Sequence, residues 1–256
     1  MRRFFRRPVR RIWLKRGIVG AIVTAALVAL ALAAPALHLI DQRSIRTYET
    51  ARANPDVAAV YISGDMGMRF GIGRKVAPAL AKAGLPVVAI SSPVNFGTHR
   101  TRAQADAIVA DSIRVALRLT GAKRIVLIGQ SFGSDIVATI APDIPVVLRP
   151  RVAAIVAVVP ARTVYFRADP TTITYHGTPD AEPAAALRTL DWAPVICIYG
   201  VKETDSLCPL LDPRHARIIG LPGGHFLHND DRLLVATIAA ALNRADPAIL
   251  RAAPRT

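Results

Sequence analysis

Apolar and polar positions alternate along this chain in blocks whose period changes regularly. Apolar runs rich in Val and Ile cover residues 57–62, 85–90, 123–128, 152–159, 195–199 and 216–221, each the length of a buried strand. Between them, residues 76–83, 102–119 and the stretch from 132 to 141 space their apolar positions as helices do, and 231–243 closes the pattern with one apolar face. Strands and helices in this order predict a mostly parallel central sheet with helices on both faces. No period of 20–50 residues marks a repeat architecture. Residues 161–190 interrupt the pattern: Thr163, Val164, Tyr165, Phe166 and Thr171 to Thr174 favour extended structure, while Pro170, Pro179 and Pro183 break it. This insertion is expected to add edge strands or to cover part of a site.

The first 55 residues follow another logic. Residues 1–16 carry eight Arg and Lys and no acid, a basic arm. Residues 17–40 are then uncharged and predominantly apolar, long enough to cross a bilayer as a helix. Cations ahead of such a segment hold that end in the cytoplasm and send the following chain across the membrane. Ala-Leu-Ala and Ala-Pro-Ala triplets also suit a cleaved signal peptide, but the length favours a signal anchor. Either way the rest of the chain is expected in the periplasm. Residues 41–55 are polar and end at Pro55, which predicts a linker. A domain then spans 56–245, and 246–256 is expected to fray.

Composition sharpens this picture at two points. The chain has 256 residues, 52% hydrophobic, with 33 Lys plus Arg against 18 Asp plus Glu. Without the arm, 25 cations still face 18 acids, an excess suited to anionic lipid headgroups. The membrane-type segment next to the arm argues against nucleic acid as the partner. Only two cysteines occur, Cys197 and Cys208, and an oxidising compartment allows them to pair; the alternative is two buried thiols. Without histidines at suitable spacing they make a poor zinc site, so no metal is expected.

The candidate chemistry starts at Gly129-Gln130-Ser131-Phe132-Gly133, a G-x-S-x-G sequence directly after an apolar strand and before a helical stretch. Such a turn exposes the serine oxygen and aims the first helix amides at one point. A serine needs a base and a carboxylate that orients it, and α/β-hydrolases supply them in the order serine, acid, histidine. His225 in Pro222-Gly223-Gly224-His225 follows a short strand and is the expected base, with His228 the alternative. The acid should follow the strand at 195–199, where Asp205 is the choice and Glu203 the alternative. Two backbone amides must stabilise the oxyanion. One is expected from Phe132, the other from Asp65 or Met66 in Ser63-Gly64-Asp65-Met66-Gly67. That loop fits neither a P-loop nor a dinucleotide fingerprint, so no cofactor is expected.

Taken in order, Ser63-Gly64-Asp65, the serine turn with Ser134-Asp135, the strand and loop from Cys197 to Pro209, and Leu221-Pro222-Gly223-Gly224-His225 resemble the VirJ family of bacterial virulence-associated proteins over residues 56–245. The resemblance implies a periplasmic α/β-hydrolase fold with Ser131, Asp205 and His225 as its triad. One branch of the family implies hydrolysis of lysyl-phosphatidylglycerol, an aminoacylated lipid; another implies partners in type IV secretion. Where that family continues Gly-Gly-Trp, this chain has Met66-Gly67-Met68, which puts the pocket near the oxyanion loop in doubt.

Overall fold

Seven strands, seven α-helices and four short 3-10 helices make up the regular structure among the described residues, 9–33, 41–50 and 56–250 of a computed structural model. They fall into two compact units, Met1–Gln42 and Arg43–Thr256.

In the first unit, helix α1 (Val9–Ala33) begins within the basic arm and runs through most of the apolar stretch. Ile18, Val19, Ile22, Val23, Leu27 and Val28 are all exposed, so between residues 17 and 29 the helix presents apolar side chains all round. Residues 34–40, the end of the expected membrane segment, lie outside the described residues. Among the described residues no helix is long and apolar enough to cross a membrane.

The second unit is built on one sheet. Its strands are β1 (Ile45–Tyr48), β2 (Val57–Ile62), β3 (Val87–Ile90), β4 (Arg124–Gln130), β5 (Val152–Val158), β6 (Val195–Gly200) and β7 (Ala216–Leu221), in the spatial order β1-β3-β2-β4-β5-β6-β7. All neighbours pair in parallel except β1, which runs antiparallel to β3. Period-two alternation divides the core. Val60, Ile62, Ile125 and Leu127 pack on one face, with α4 (Arg102–Thr120) and α5 (Phe132–Ile140). Ala59, Tyr61, Val126 and Ile128 pack on the other, with α2 (Gly73–Lys82) and α7 (Asp231–Ala245). Two short helices, α3 (Ser92–Phe96) and α6 (Ala184–Arg188), complete the set.

Local chemistry sets the element ends. Thr101 and Gln104 form a reciprocal capping box at the start of α4, and Gly121 ends that helix in the left-handed region at φ 69°. Cys197 on β6 is bonded to Cys208, eleven residues later, and both are fully buried.

Two expectations are corrected, and one open alternative is decided. The linker expected over 41–55 is not all connector: Ile45 to Tyr48 pair with Ile90 to Val87 as the sheet's edge strand. Four residues leave too short a run for alternation to register in the sequence. Residues 51–55 lie outside the described residues. The tail expected to fray from 246 is held as far as 250: Ile249 is fully buried, and Asp246 bonds Arg124 at 3.0 Å. Residues 251–256 are not described. The insertion at 161–190 adds no strand; two isolated bridges, Ala161 with Ser206 and Val164 with Ala181, and helix α6 hold it.

Candidate active site

A parallel sheet gathers its loops at the carboxyl ends of its strands, and this one gathers four chemical groups there. Ser131 follows β4, Glu203 follows β6, His225 follows β7, and the Gly64-Asp65-Met66 loop follows β2.

Ser131 has φ 52° and ψ −127°, a conformation that costs a non-glycine residue energy and that surrounding structure must impose. The flanking glycines allow it. A β-carbon on Gly129 would lie 2.2 Å from the Gly133 carbonyl oxygen, and one on Gly133 would lie 2.1 Å from that of Ile62. The turn is therefore pressed against β2 and the start of α5 with no space for side chains. Ser131 anchors it in turn: its N–H donates to the Val158 carbonyl at 2.8 Å, and its own carbonyl accepts from Ser134 N–H at 2.7 Å. Phe132 begins α5, where the first amides have no acceptor within the helix.

Ser131 Oγ lies 2.8 Å from His225 Nε2, and His225 Nδ1 lies 2.8 Å from Glu203 Oε1. The carboxylate that meets the imidazole is thus that of Glu203, the alternative, and not that of Asp205. The tight turn after β6 decides this. Glu203 N–H donates to the Gly200 carbonyl at 2.8 Å, and Gly200 N–H donates to Glu203 Oε2 at 2.9 Å. That double clasp leaves Oε1 for the imidazole, and the Lys202 N–H to Gly223 carbonyl bond (2.9 Å) zips the acid loop to the histidine loop. Asp205, two residues on, is exposed and held at its backbone by Arg162 N–H, 3.2 Å from its carbonyl. The Cys197–Cys208 bond closes the loop that carries both acids. His228, the alternative base, stacks its ring on Gly223 instead, where a β-carbon would lie 2.3 Å from His228 Cδ2. The glutamate side chain is 10% exposed and the imidazole 46%, so the orienting acid is sheltered while the base is open to a substrate.

Gly64 backs directly on the nucleophile: a β-carbon there would lie 3.2 Å from Ser131 Cβ. The Asp65 carboxylate turns outward to the insertion. It accepts from Asp169 N–H at 2.9 Å and from the Tyr175 hydroxyl in a short bond, and burial raises its pKa. Asp169 accepts in turn from Thr171 and Thr174, and these bonds hold its pKa well below the usual carboxylate range. Residues 161–175 are thereby strapped over one side of the serine.

Two cavities meet at Ser131 and His225. One, about 540 Å³, is walled by Asp65, Asp135, Glu203 and Asp205 together with Tyr165 and Tyr175. The other, about 180 Å³, is lined by Met66, Phe70, Ile72, Val158, Phe226 and Leu227 among others, and its rim is open: Met66 is 50% exposed and Phe226 68%. Met66, expected only as an oxyanion amide, therefore also contributes an apolar side chain.

Known proteins place the family and the fold. Residues 56–246 match the family model of VirJ, the bacterial virulence protein. This chain belongs to the VirJ family. No curated protein matches it. Among solved structures, it is similar to an esterase of Pyrobaculum calidifontis (TM-score 0.54, 17% identity, 78% of this chain and 80% of that one). It is also similar to a proline iminopeptidase of Mycobacterium smegmatis (0.53, 16%, 80% and 95%) and a monoacylglycerol lipase of Paleococcus ferrophilus (0.51, 16%, 77% and 98%). At these identities the likeness establishes the fold, an α/β-hydrolase fold, and the VirJ match covers nearly all of the second unit.

Proposed function

We propose that this VirJ-family chain is a serine hydrolase that cleaves esters, and that its substrate is the aminoacyl ester of phosphatidylglycerol or a closely related aminoacylated lipid. The observation that carries the hydrolase reading is the continuous hydrogen-bonded path from Ser131 through His225 to Glu203, with 2.8 Å at each step, on a strained turn after a parallel strand. Ser131 Oγ attacks the ester carbonyl and passes its proton to His225 Nε2, whose charge Glu203 offsets. The oxyanion is held by Phe132 N–H and by an amide of Asp65 or Met66. Collapse expels the glycerol oxygen, protonated by His225, and leaves an aminoacyl-serine. Water, deprotonated by the same imidazole, then releases the amino acid. An esterase and a lipase stand among the similar structures, which accords with an ester substrate.

A lipid substrate is supported by the apolar cavity beside the serine and by Met66, Phe70 and Phe226 at its rim. Export and tethering are supported by the basic arm, by the 24 uncharged residues from 17 to 40, by the apolar circumference of α1 and by the disulfide. A tether would hold the domain near lipid headgroups and raise its effective concentration there. The test is release of the amino acid from purified lysyl-phosphatidylglycerol in mixed micelles. The wild-type protein is expected to release it and Ser131→Ala to lose release with its circular dichroism unchanged. Equal release by both would end the proposal, and release confined to unaminoacylated lipids would redirect it to another ester.

A further inference from the structure

Asp135 is a carboxylate that the reaction steps above leave unused. It lies in the first turn of α5, four residues after Ser131, and its N–H donates to the Ser131 carbonyl at 3.1 Å. Both residues line the larger cavity, so Asp135 lies on the nucleophile's side of the helix. Oδ1 accepts the Ala161 N–H at 2.7 Å. Among the described residues Oδ2 has no hydrogen-bond partner, and no Lys, Arg or His forms an ion pair with this carboxylate. The group is half-buried and opens into the larger cavity.

That cavity is acidic without being neutralised. Asp65, Glu203 and Asp205 share its wall with Asp135, and their charges add to burial in pushing the Asp135 pKa well above the usual carboxylate range. Lys202 also lines the cavity but forms no ion pair among the described residues. A sheltered carboxylate with a spare oxygen and anionic neighbours gains most from a cation that enters with a ligand. Among the described residues no three potential ligands converge to hold a metal ion, which favours an organic cation. Tyr165 and Tyr175 line the same space, stacked with centroids 5.4 Å apart, and offer the aromatic surface that an ammonium-bearing chain can lie against.

We infer that Asp135 determines acyl specificity: its free oxygen receives the ammonium of a cationic acyl group whose ester carbonyl sits at Ser131. The inference rests on the ester-hydrolase reading and adds a recognition element to it. A neutral acyl group filling the same cavity would leave the carboxylate unpaired, so the site discriminates against it. The Asp135 carboxylate touches the substrate away from the breaking bond and takes no proton from it.

Binding and turnover test this separately. Ser131→Ala protein is titrated calorimetrically with lysine methyl ester and with its Nα,Nε-diacetyl counterpart. The cationic ester is expected to bind at least about tenfold more tightly, and the added Asp135→Asn substitution to erase most of that preference. In turnover, the ratio of kcat/KM for the lysyl ester over the diacetyl ester is expected to fall about tenfold or more in Asp135→Asn, with Asp135→Glu recovering part of it. Equal binding of the two esters, or a preference that survives Asp135→Asn, overturns the inference. Should Asp135→Asn not fold, Asp135→Ser replaces it in both measurements, and the same outcomes decide. Turnover of both esters without preference defeats this inference and spares the hydrolase reading; a binding preference with no turnover of either ester does the reverse.

Discussion

The two cavities that meet at Ser131 differ in almost every physical respect. The larger is walled by four carboxylates and two tyrosines and is partly roofed by residues 161–175. The smaller is lined by Met66, Phe70, Ile72 and Leu227 and opens through exposed apolar side chains. A nucleophile set between an anionic chamber and an apolar slot suits a substrate with a cationic acyl part and a lipid alcohol part. Neither chamber alone would argue for such a molecule. An apolar slot is common to many lipases, and an acidic chamber to many sites for amines. Their junction at one activated serine is what makes the combination informative.

The largest effects are expected at the junction of the two cavities. Ser131→Ala should abolish hydrolysis of every ester, a loss of about 10³-fold or more in kcat, measured by product release. Glu203→Gln should cost about 10²–10⁴-fold in kcat because the imidazole loses its orienting carboxylate, whereas Asp205→Asn should cost less than about tenfold. A reversal of those two would restore Asp205 as the acid.

The apolar side comes next. Phe226→Ser and Phe70→Ser should each raise KM for long-chain or lipid esters by about three- to tenfold and affect short soluble esters less. An equal effect on both substrate classes would remove the slot from lipid binding.

The smallest expected effect is thermal and belongs to the acidic side. Burial raises the Asp135 pKa above its unfolded value. Between those two values the folded state binds more protons than the unfolded one, so stability falls as pH rises through the window. Asp135→Asn should therefore raise the melting midpoint by about 2–4 °C at neutral pH, and the gain should vanish below the ordinary carboxylate value of 3.8. A destabilised Asp135→Asn at neutral pH would show that the carboxylate serves the fold.

What the sequence disclosed follows the same division. The serine turn was legible because a continuous apolar strand and two glycines surround Ser131, and the contacts at Gly129 and Gly133 explain why no larger residue stands there. His225 was legible from its glycines and its place between a strand and the last helix. The acid was not, because Glu203 and Asp205 are two residues apart and only the turn bonds to Gly200 distinguish them. Asp135 was legible only in part: its spacing of four from Ser131 marks the helix face. Its unpaired oxygen depends on Ala161 and on an insertion whose path the sequence left open. The edge strand at Ile45–Tyr48 and the buried Ile249 were hidden for a related reason: apolar runs this short become structural only when a partner strand or core receives them.

The most direct test of the central claim is active-site labelling. Wild-type protein and the variants Glu203→Gln and His225→Ala are treated with a fluorophosphonate, and the modified peptide is located by mass spectrometry. The expected result is one adduct on Ser131, formed rapidly in the wild type, slowly in Glu203→Gln and scarcely at all in His225→Ala. No adduct at Ser131, or labelling whose rate ignores both substitutions, would contradict the proposal that these three side chains act as one catalytic unit.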